Sequence, residues 1–182
     1  MSILGTRVVR VEDPRFLKGE GTYIANLQMP GAVHLTFVRS SMAHAQLLSI
    51  DADEARSMPG VLHVWTADDV TLNPAPPANP MMNAGITFPY VAKDTVRFVG
   101  DIVAVVVSSD KTLGIDAAET VIVDYEPLPV VLDMDESFKG DVLLHPEAGS
   151  NIVLTFAARE DGDIFADCEV VVELTIENQR VA

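Results

Sequence analysis

The stretch Ile102-Val103-Ala104-Val105-Val106-Val107, entered through Val96-Arg97-Phe98-Val99-Gly100-Asp101, decides the fold class. Its unbroken and mostly β-branched apolar character suits a strand covered on both faces rather than one with a wet side. It is also the longest uninterrupted apolar run, far short of the roughly 20 residues needed to cross a bilayer. It is therefore read as the centre of the core.

Working downstream, Asp110 is placed to cap a helix running to about Thr120. Ala117 and Ala118 are small enough to let that helix lie close to a sheet. Strand character resumes at Val121-Ile122-Val123 and ends at Pro127 and Pro129. A connection of about a dozen residues is long enough for a right-handed parallel crossover between the two apolar strands. From Leu132 the chain holds a short acidic helix candidate and a loop around His145-Pro146-Glu147-Ala148-Gly149-Ser150. Strand-like segments follow at Ile152 to Ala157 and Glu169 to Ile176, with a helix or turn over Gly162 to Asp167 between them.

Working upstream, Val33, Leu35 and Phe37 alternate with His34 and Thr36, which predicts a strand over Val33 to Arg39 with those apolar residues on its buried face. Pro30-Gly31 reads as the turn before it. A second strand is expected at Gln46 to Ile50. Asp51 then caps a short helix with Asp53 and Glu54 in its first turn. Pro59-Gly60 stops that helix and Val61 to Thr66 forms another strand. The segment Thr71 to Pro89 carries five prolines and reads as a long surface loop. The mixture predicts an α+β fold. No internal repeat is visible.

The whole-chain numbers narrow the function. A chain of 182 residues fits one ordinary domain, or one small domain and part of another. Its 27 acidic and 12 basic residues leave a formal charge of −15, which repels a nucleic-acid backbone and an anionic membrane surface alike. No apolar stretch of signal-peptide length follows the first arginines, so the cytoplasm is the expected compartment. The single cysteine, Cys168, forms no internal disulfide and builds no cluster unaided.

A search for reactive constellations leaves no catalytic, cofactor-binding or metal-binding residue to nominate. His34, His44, His63 and His145 are scattered, and none forms the His-x-x-x-His spacing that sets two imidazoles on one helical face. The acidic groups Asp51/Asp53/Glu54, Asp68/Asp69, Asp133/Asp135/Glu136 and Asp161/Asp163 lack the twelve-residue calcium loop, so helix capping and solvation account for them. Gly19-Glu20-Gly21 lacks the third glycine, the preceding strand and the following helix of a dinucleotide fingerprint. Cys168 lies between Asp167 and Glu169, the opposite of the electropositive setting that activates a thiol, so it is expected as a structural cysteine. Ser40, Ser41 and His44 come without a Gly-x-Ser-x-Gly elbow.

Four ordered segments nevertheless carry a resemblance. They are Arg10-Val11-Glu12-Asp13-Pro14-Arg15-Phe16-Leu17-Lys18-Gly19 through Gly21, Tyr23, Leu27 and Pro30-Gly31; Phe37-Val38-Arg39-Ser40 with Ala43-His44-Ala45 and Pro59-Gly60-Val61; Val96 to Asp101; and Val123-Asp124-Tyr125-Glu126-Pro127-Leu128-Pro129 with His145-Pro146-Glu147 and Asn151. In this order and spacing the chain resembles the amino-terminal part of the large subunits of aerobic carbon-monoxide dehydrogenases and their aldehyde oxidase and xanthine dehydrogenase relatives. One departure is that Asp101-Ile102 stands where many relatives have glutamate and proline.

The resemblance implies an amino-terminal arm and α/β-hammerhead domain over residues 1–135. Residues 136–182 would then form a linker and the beginning of a molybdopterin-binding domain. It implies a molybdenum hydroxylase that oxidises carbon monoxide, an aldehyde or an N-heterocycle. Molybdopterin or molybdopterin cytosine dinucleotide would be held by the remainder of the large subunit. FAD would sit on a medium subunit and [2Fe-2S] clusters on a small one. Asn178-Gln179-Arg180-Val181-Ala182 resembles the point where relatives run on toward their cofactor-bearing part, so this chain is expected to act as scaffold and subunit contact. A separately encoded hammerhead module serving in binding or assembly is the rival expectation. Within the shared motifs, Gly19 and Gly100 are expected in turns with unusual backbone angles, and Asp13 and Arg15 as hydrogen-bonding pins of the arm.

Overall fold

A computed structural model describes residues 5, 10–24, 27, 29–156, 165–174 and 176. Its central strand is the expected one. The strand numbered β5, Ile102–Ser108, lies between β1, His34–Arg39, and β3, Val61–Trp65, and pairs antiparallel with both. A second three-stranded antiparallel sheet places β2, Ala45–Asp51, between β4, Thr95–Val96, and β6, Ile122–Pro127. The expectation of an α+β fold holds, while the parallel crossover does not. Both edges of β5 are already taken by β1 and β3, so β6 has no place beside it and pairs with β2 instead.

The connection after β5 is α3, Lys111–Glu119, and Asp110 is its N-cap, accepting a hydrogen bond from the Thr112 amide at 2.8 Å. In helix α2, Asp53–Ser57, the cap position expected of Asp51 falls instead to Ala52, which makes no side-chain cap bond, and the Asp51 carboxylate accepts from the Asp53 amide at 3.1 Å from outside the helix. Both helices cover one face of the first sheet. Ala52, Ala55, Val64, Val106 and Ala117 form a buried cluster there, with Ala118 packed against it. Gly114 makes the approach of α3 possible. A Cβ added to it would stand 2.5 Å from Ser108 Oγ and 2.7 Å from Thr36 Oγ1, closer than real Cβ atoms come.

A second buried cluster, Ala45, Ala92, Val96 and Val103, is completed by Leu47, Ile50, Val123 and Tyr125 of the second sheet. Val38 touches both clusters. The joint between the sheets runs through Ser40, whose amide donates to Asp101 O and whose carbonyl accepts from Gly100 N, each at 2.8 Å. Gly100 has φ +98°, a conformation open to glycine and strained for other residues, and the buried Asp101 carboxylate accepts from the Arg97 amide at 3.1 Å. The expected role of Gly100 in a special turn is met, and Gly19, φ +72°, matches as well.

The arm adds a helix that periodicity did not reveal, α1, Asp13–Leu17, with Pro14 in its first turn. Asp13 pairs with Arg10 at 3.7 Å, and Arg15 lies over the Phe16 ring, which stacks with Tyr23. These contacts add to backbone hydrogen bonds of the same residues: Asp13 N donates to Arg10 O at 3.3 Å, Arg15 N to Glu12 O at 3.0 Å and Glu20 N to Arg15 O at 2.9 Å.

Two compact units are distinguished, Met1–Leu72 with Tyr90–Leu128, and Asn73–Pro89 with Pro129–Ala182. The first contains both sheets. In the second, the proline-rich loop is closed by a single bridge between Ala75 and Phe88. The expected acidic helix is α4, Met134–Lys139, capped by Asp133 and ended by Gly140. Asn151 ties its surroundings together: its carbonyl oxygen accepts from the Leu144 amide, and its amide nitrogen donates to Val142 O and Ser137 O.

The strands expected at Ile152 to Ala157 and Glu169 to Ile176 do not form among the described residues, for neither segment has a ladder partner there. Asn83 N donates to Val153 O, a contact that makes no sheet. Ala157, Gly162 to Ile164 and Thr175 lie outside the described residues, as does the segment from Asn178 to Ala182. Phe165 to Asp167 form the turn expected there.

Candidate functional site

In the two-sheet unit, one candidate is an open cleft of about 320 Å³ lined by Leu47, Ser49, Arg56, Thr66, Asp68 and Lys93 among others. Three of its charged side chains, Arg56, Asp68 and Lys93, are already paired. Lys93 Nζ lies 3.1 Å from Asp68, a contact that raises the Lys93 pKa, and Arg56 Nη1 lies 3.0 Å from Asp53. Ser49 Oγ donates to Asp124 at 2.8 Å. The Asp69 carboxylate accepts from the Thr66 amide at 2.8 Å and from its hydroxyl at 3.1 Å, which lowers its pKa. The Ser49 and Thr66 hydroxyls are thus spent on carboxylates, and among the described residues of the cleft no histidine stands beside them.

These caps predict an acid sensitivity. Asp69 and Asp110 both have folded pKa values below their ordinary 3.8, through hydrogen bonds from Thr66 and from Thr112 respectively. A carboxylate depressed in the folded state adds stability above the unfolded value and loses it as pH falls through the folded one. Urea midpoints measured by circular dichroism should therefore be flat from pH 7 down to about pH 5 and fall below about pH 4. Replacing both residues with asparagine should flatten that fall; an unchanged profile would remove these two groups as its cause.

The residues weighed for chemistry do not converge. His34 and His63 lie on opposite edge strands of the first sheet, and His63 stacks with Trp65 at 5.8 Å between ring centroids. His44 is buried next to Ala45, and its carbonyl accepts from the Leu128 amide. The Ser40 hydroxyl turns back to the Met42 carbonyl. His145 faces Glu147 at 3.4 Å and Phe88 edge-on. Cys168 is exposed rather than packed in a core. Among the described residues no three His, Cys, Asp or Glu side chains gather to hold a metal ion. The amino end of α3, where an anion would otherwise be drawn, is occupied by its own Asp110 carboxylate. These residues do not fit a metal-centre ligand set.

The other candidate is a surface, and here the strand reading is corrected. Leu35 and Phe37 of β1 pair with Val107 and Val105 of β5, which pair in turn with His63 and Trp65 of β3. Cross-strand partners share a face. It is the face opposite Thr36, Val106 and Val64, which α2 and α3 cover. Leu35 is 53% exposed, Phe37 42% and Trp65 39%, whereas Val105 and Val107 are buried between them. The alternation was read correctly, but the face assigned to the interior is the one left open. Arg39 lies over the Phe37 ring at 5.4 Å and donates to Gly100 O at 2.8 Å. The signal available in the sequence was the aromatic pair Phe37 and Trp65, one on each edge strand.

Residues 18–129 match the aldehyde oxidase and xanthine dehydrogenase a/b hammerhead domain. The chain is 37% identical to the nicotine 6-hydroxylase large subunit of Paenarthrobacter nicotinovorans, over all of its own length and 23% of that protein's. It is 41% identical to the carbon monoxide dehydrogenase large chain of Afipia carboxidovorans over 78% of this chain and 17% of that one. Among solved structures, quinoline 2-oxidoreductase from Pseudomonas putida 86 superposes with a TM-score of 0.65 at 40% identity, covering 78% of this chain and 18% of that one. The chain thus spans about a fifth of the length of the relatives it matches.

Proposed function

The chain belongs to the aldehyde oxidase and xanthine dehydrogenase a/b hammerhead family, and from that premise we propose that it is the scaffold portion of a molybdenum hydroxylase large subunit. The observation carrying this reading is the match over residues 18–129, which spans both sheets. Relatives include a protein named as a molybdenum-binding subunit and one named as the gamma subunit of a dehydrogenase complex.

On this reading residues 1–135 are the arm and hammerhead domain, and residues 136–182 are a linker and the beginning of the molybdopterin-binding domain. Molybdenum, on molybdopterin or its cytosine dinucleotide, belongs to large-subunit sequence outside this chain. Two iron–sulfur clusters and FAD belong to the small and medium subunits. On this reading the catalytic step belongs to the same outside sequence of the large subunit, and this chain contributes scaffold. The substrate is one of the family's classes: carbon monoxide, an aldehyde or an N-heterocycle. No described helix is long and apolar enough to cross a membrane, and the cytoplasm is the proposed compartment.

The test is compositional. Complex purified through a tag on this chain, from the source cells, should contain molybdenum and iron by elemental analysis and flavin by absorbance. A purified complex containing this chain but none of the three would overturn the reading.

A further inference from the structure

The open face of the first sheet lacks an occupant among the described residues of its own unit. Its apolar members, Leu35, Phe37 and Trp65, stand half-exposed around Val105 and Val107. Scattered surface apolar residues are ordinary, but contiguous ones across three paired strands mark a contact surface. Among the described residues that the three paired strands place on this face none is a carboxylate, in a chain of charge −15. The face carries Arg39, held over Phe37 and using one donor on Gly100 O. Among the described residues no carboxylate lies within ion-pair distance of Arg39.

Resting on the reading under Proposed function, we infer that this face docks an apolar segment of the molybdenum-binding portion of the large subunit, with a carboxylate of that segment meeting Arg39. Apolar packing supplies the area, and the planar guanidinium supplies two-pronged recognition of a carboxylate. A second copy of this chain is the poorer occupant. It would bring another −15 of charge and set Arg39 against a like face. The relatives carry about four-fifths of their length outside the region this chain matches, length from which such a segment could come.

The test places this chain in the whole large subunit of the Paenarthrobacter nicotine 6-hydroxylase, replacing the aligned region, with that enzyme's other subunits co-expressed. Leu35→Cys, and Ser57→Cys on the exposed side of α2 as control, are labelled with maleimide and followed by peptide mass spectrometry. In the assembled complex, labelling at position 35 should slow at least tenfold relative to the isolated chain, while position 57 labels alike in both. Arg39→Glu should reduce assembled complex at least tenfold and leave the circular dichroism of the isolated chain unchanged.

Equal labelling of position 35 in complex and isolated chain overturns the inference while leaving the proposed function standing. So does protection of position 35 in a dimer of the isolated chain, which assigns the face to self-association. Unchanged assembly of the Arg39→Glu variant removes the carboxylate partner and with it the stated occupant. Failure of the chimera to assemble with molybdenum counts against both readings.

Discussion

Val106→Asp should leave the chain without a cooperative thermal transition, while Leu35→Asp, on the neighbouring strand, should melt close to the parent. Val106 is fully buried in the cluster of Ala52, Ala55, Val64 and Ala117, under α2 and α3. A carboxylate there has no cation to pair with in that cluster, and an unpaired buried charge costs several kcal/mol, comparable with the roughly 5–15 kcal/mol that holds a domain together. Val106→Ala supplies a graded version: two lost methyl groups and the cavity they leave should lower stability by roughly 2 kcal/mol. Leu35 lies on the opposite, open face, so its carboxylate stays in water. Far-UV circular dichroism and thermal melts distinguish the cases. Equal loss of structure in both aspartate variants would mean that the sheet is covered on both sides in the isolated chain.

Gly114→Val should destabilise the chain by about 3 kcal/mol, reversing what helix propensity alone expects. Exchanging a mid-helix glycine for alanine usually gains about 1 kcal/mol, because glycine loses the most backbone freedom on folding. Here the added Cβ meets Ser108 Oγ and Thr36 Oγ1 at 2.5 and 2.7 Å. Ser108 cannot withdraw, being fully buried with its hydroxyl donated to Asp110 O at 2.7 Å. Overpacking of this kind costs roughly 1–3 kcal/mol and can exceed that for a branched side chain. Gly114→Ala should therefore also lose stability, by about 1 kcal/mol after the propensity gain is subtracted. Urea unfolding measures both. A stabilised alanine variant would show that α3 sits farther from the sheet than Gly114 allows.

Gly114 also marks where sequence reading stopped short. Ala117 and Ala118 were legible as small residues on the sheet side of the helix, and both lie in the first core cluster or against it. Gly114 is on the same side one turn earlier, but in a sequence it looks like an ordinary helix weakener. Only the position of Ser108 and Thr36 beneath it gives it a purpose. The empty catalytic inventory and the family resemblance came from the residues alone, and the resemblance is matched by the hammerhead domain over residues 18–129. The open face was hidden, although every residue on it had been placed in a strand.

What the sequence determined by itself is local. The β-branched run set β5, Asp110 and Asp133 set the starts of two helices, and Gly100 set the turn into the core, because each depends on neighbours a few residues away. What the tertiary structure decided is which surfaces those elements share. A period of two says that Leu35 and Phe37 lie on one side of β1, but not whether α3 will cover that side or the other. Likewise the length of the link after β5 permitted a parallel partner, and β1 and β3 took both edges first. Both outcomes turn on pairings between residues far apart in the chain, such as Phe37 with Val105 and Val105 with Trp65, which no local pattern encodes.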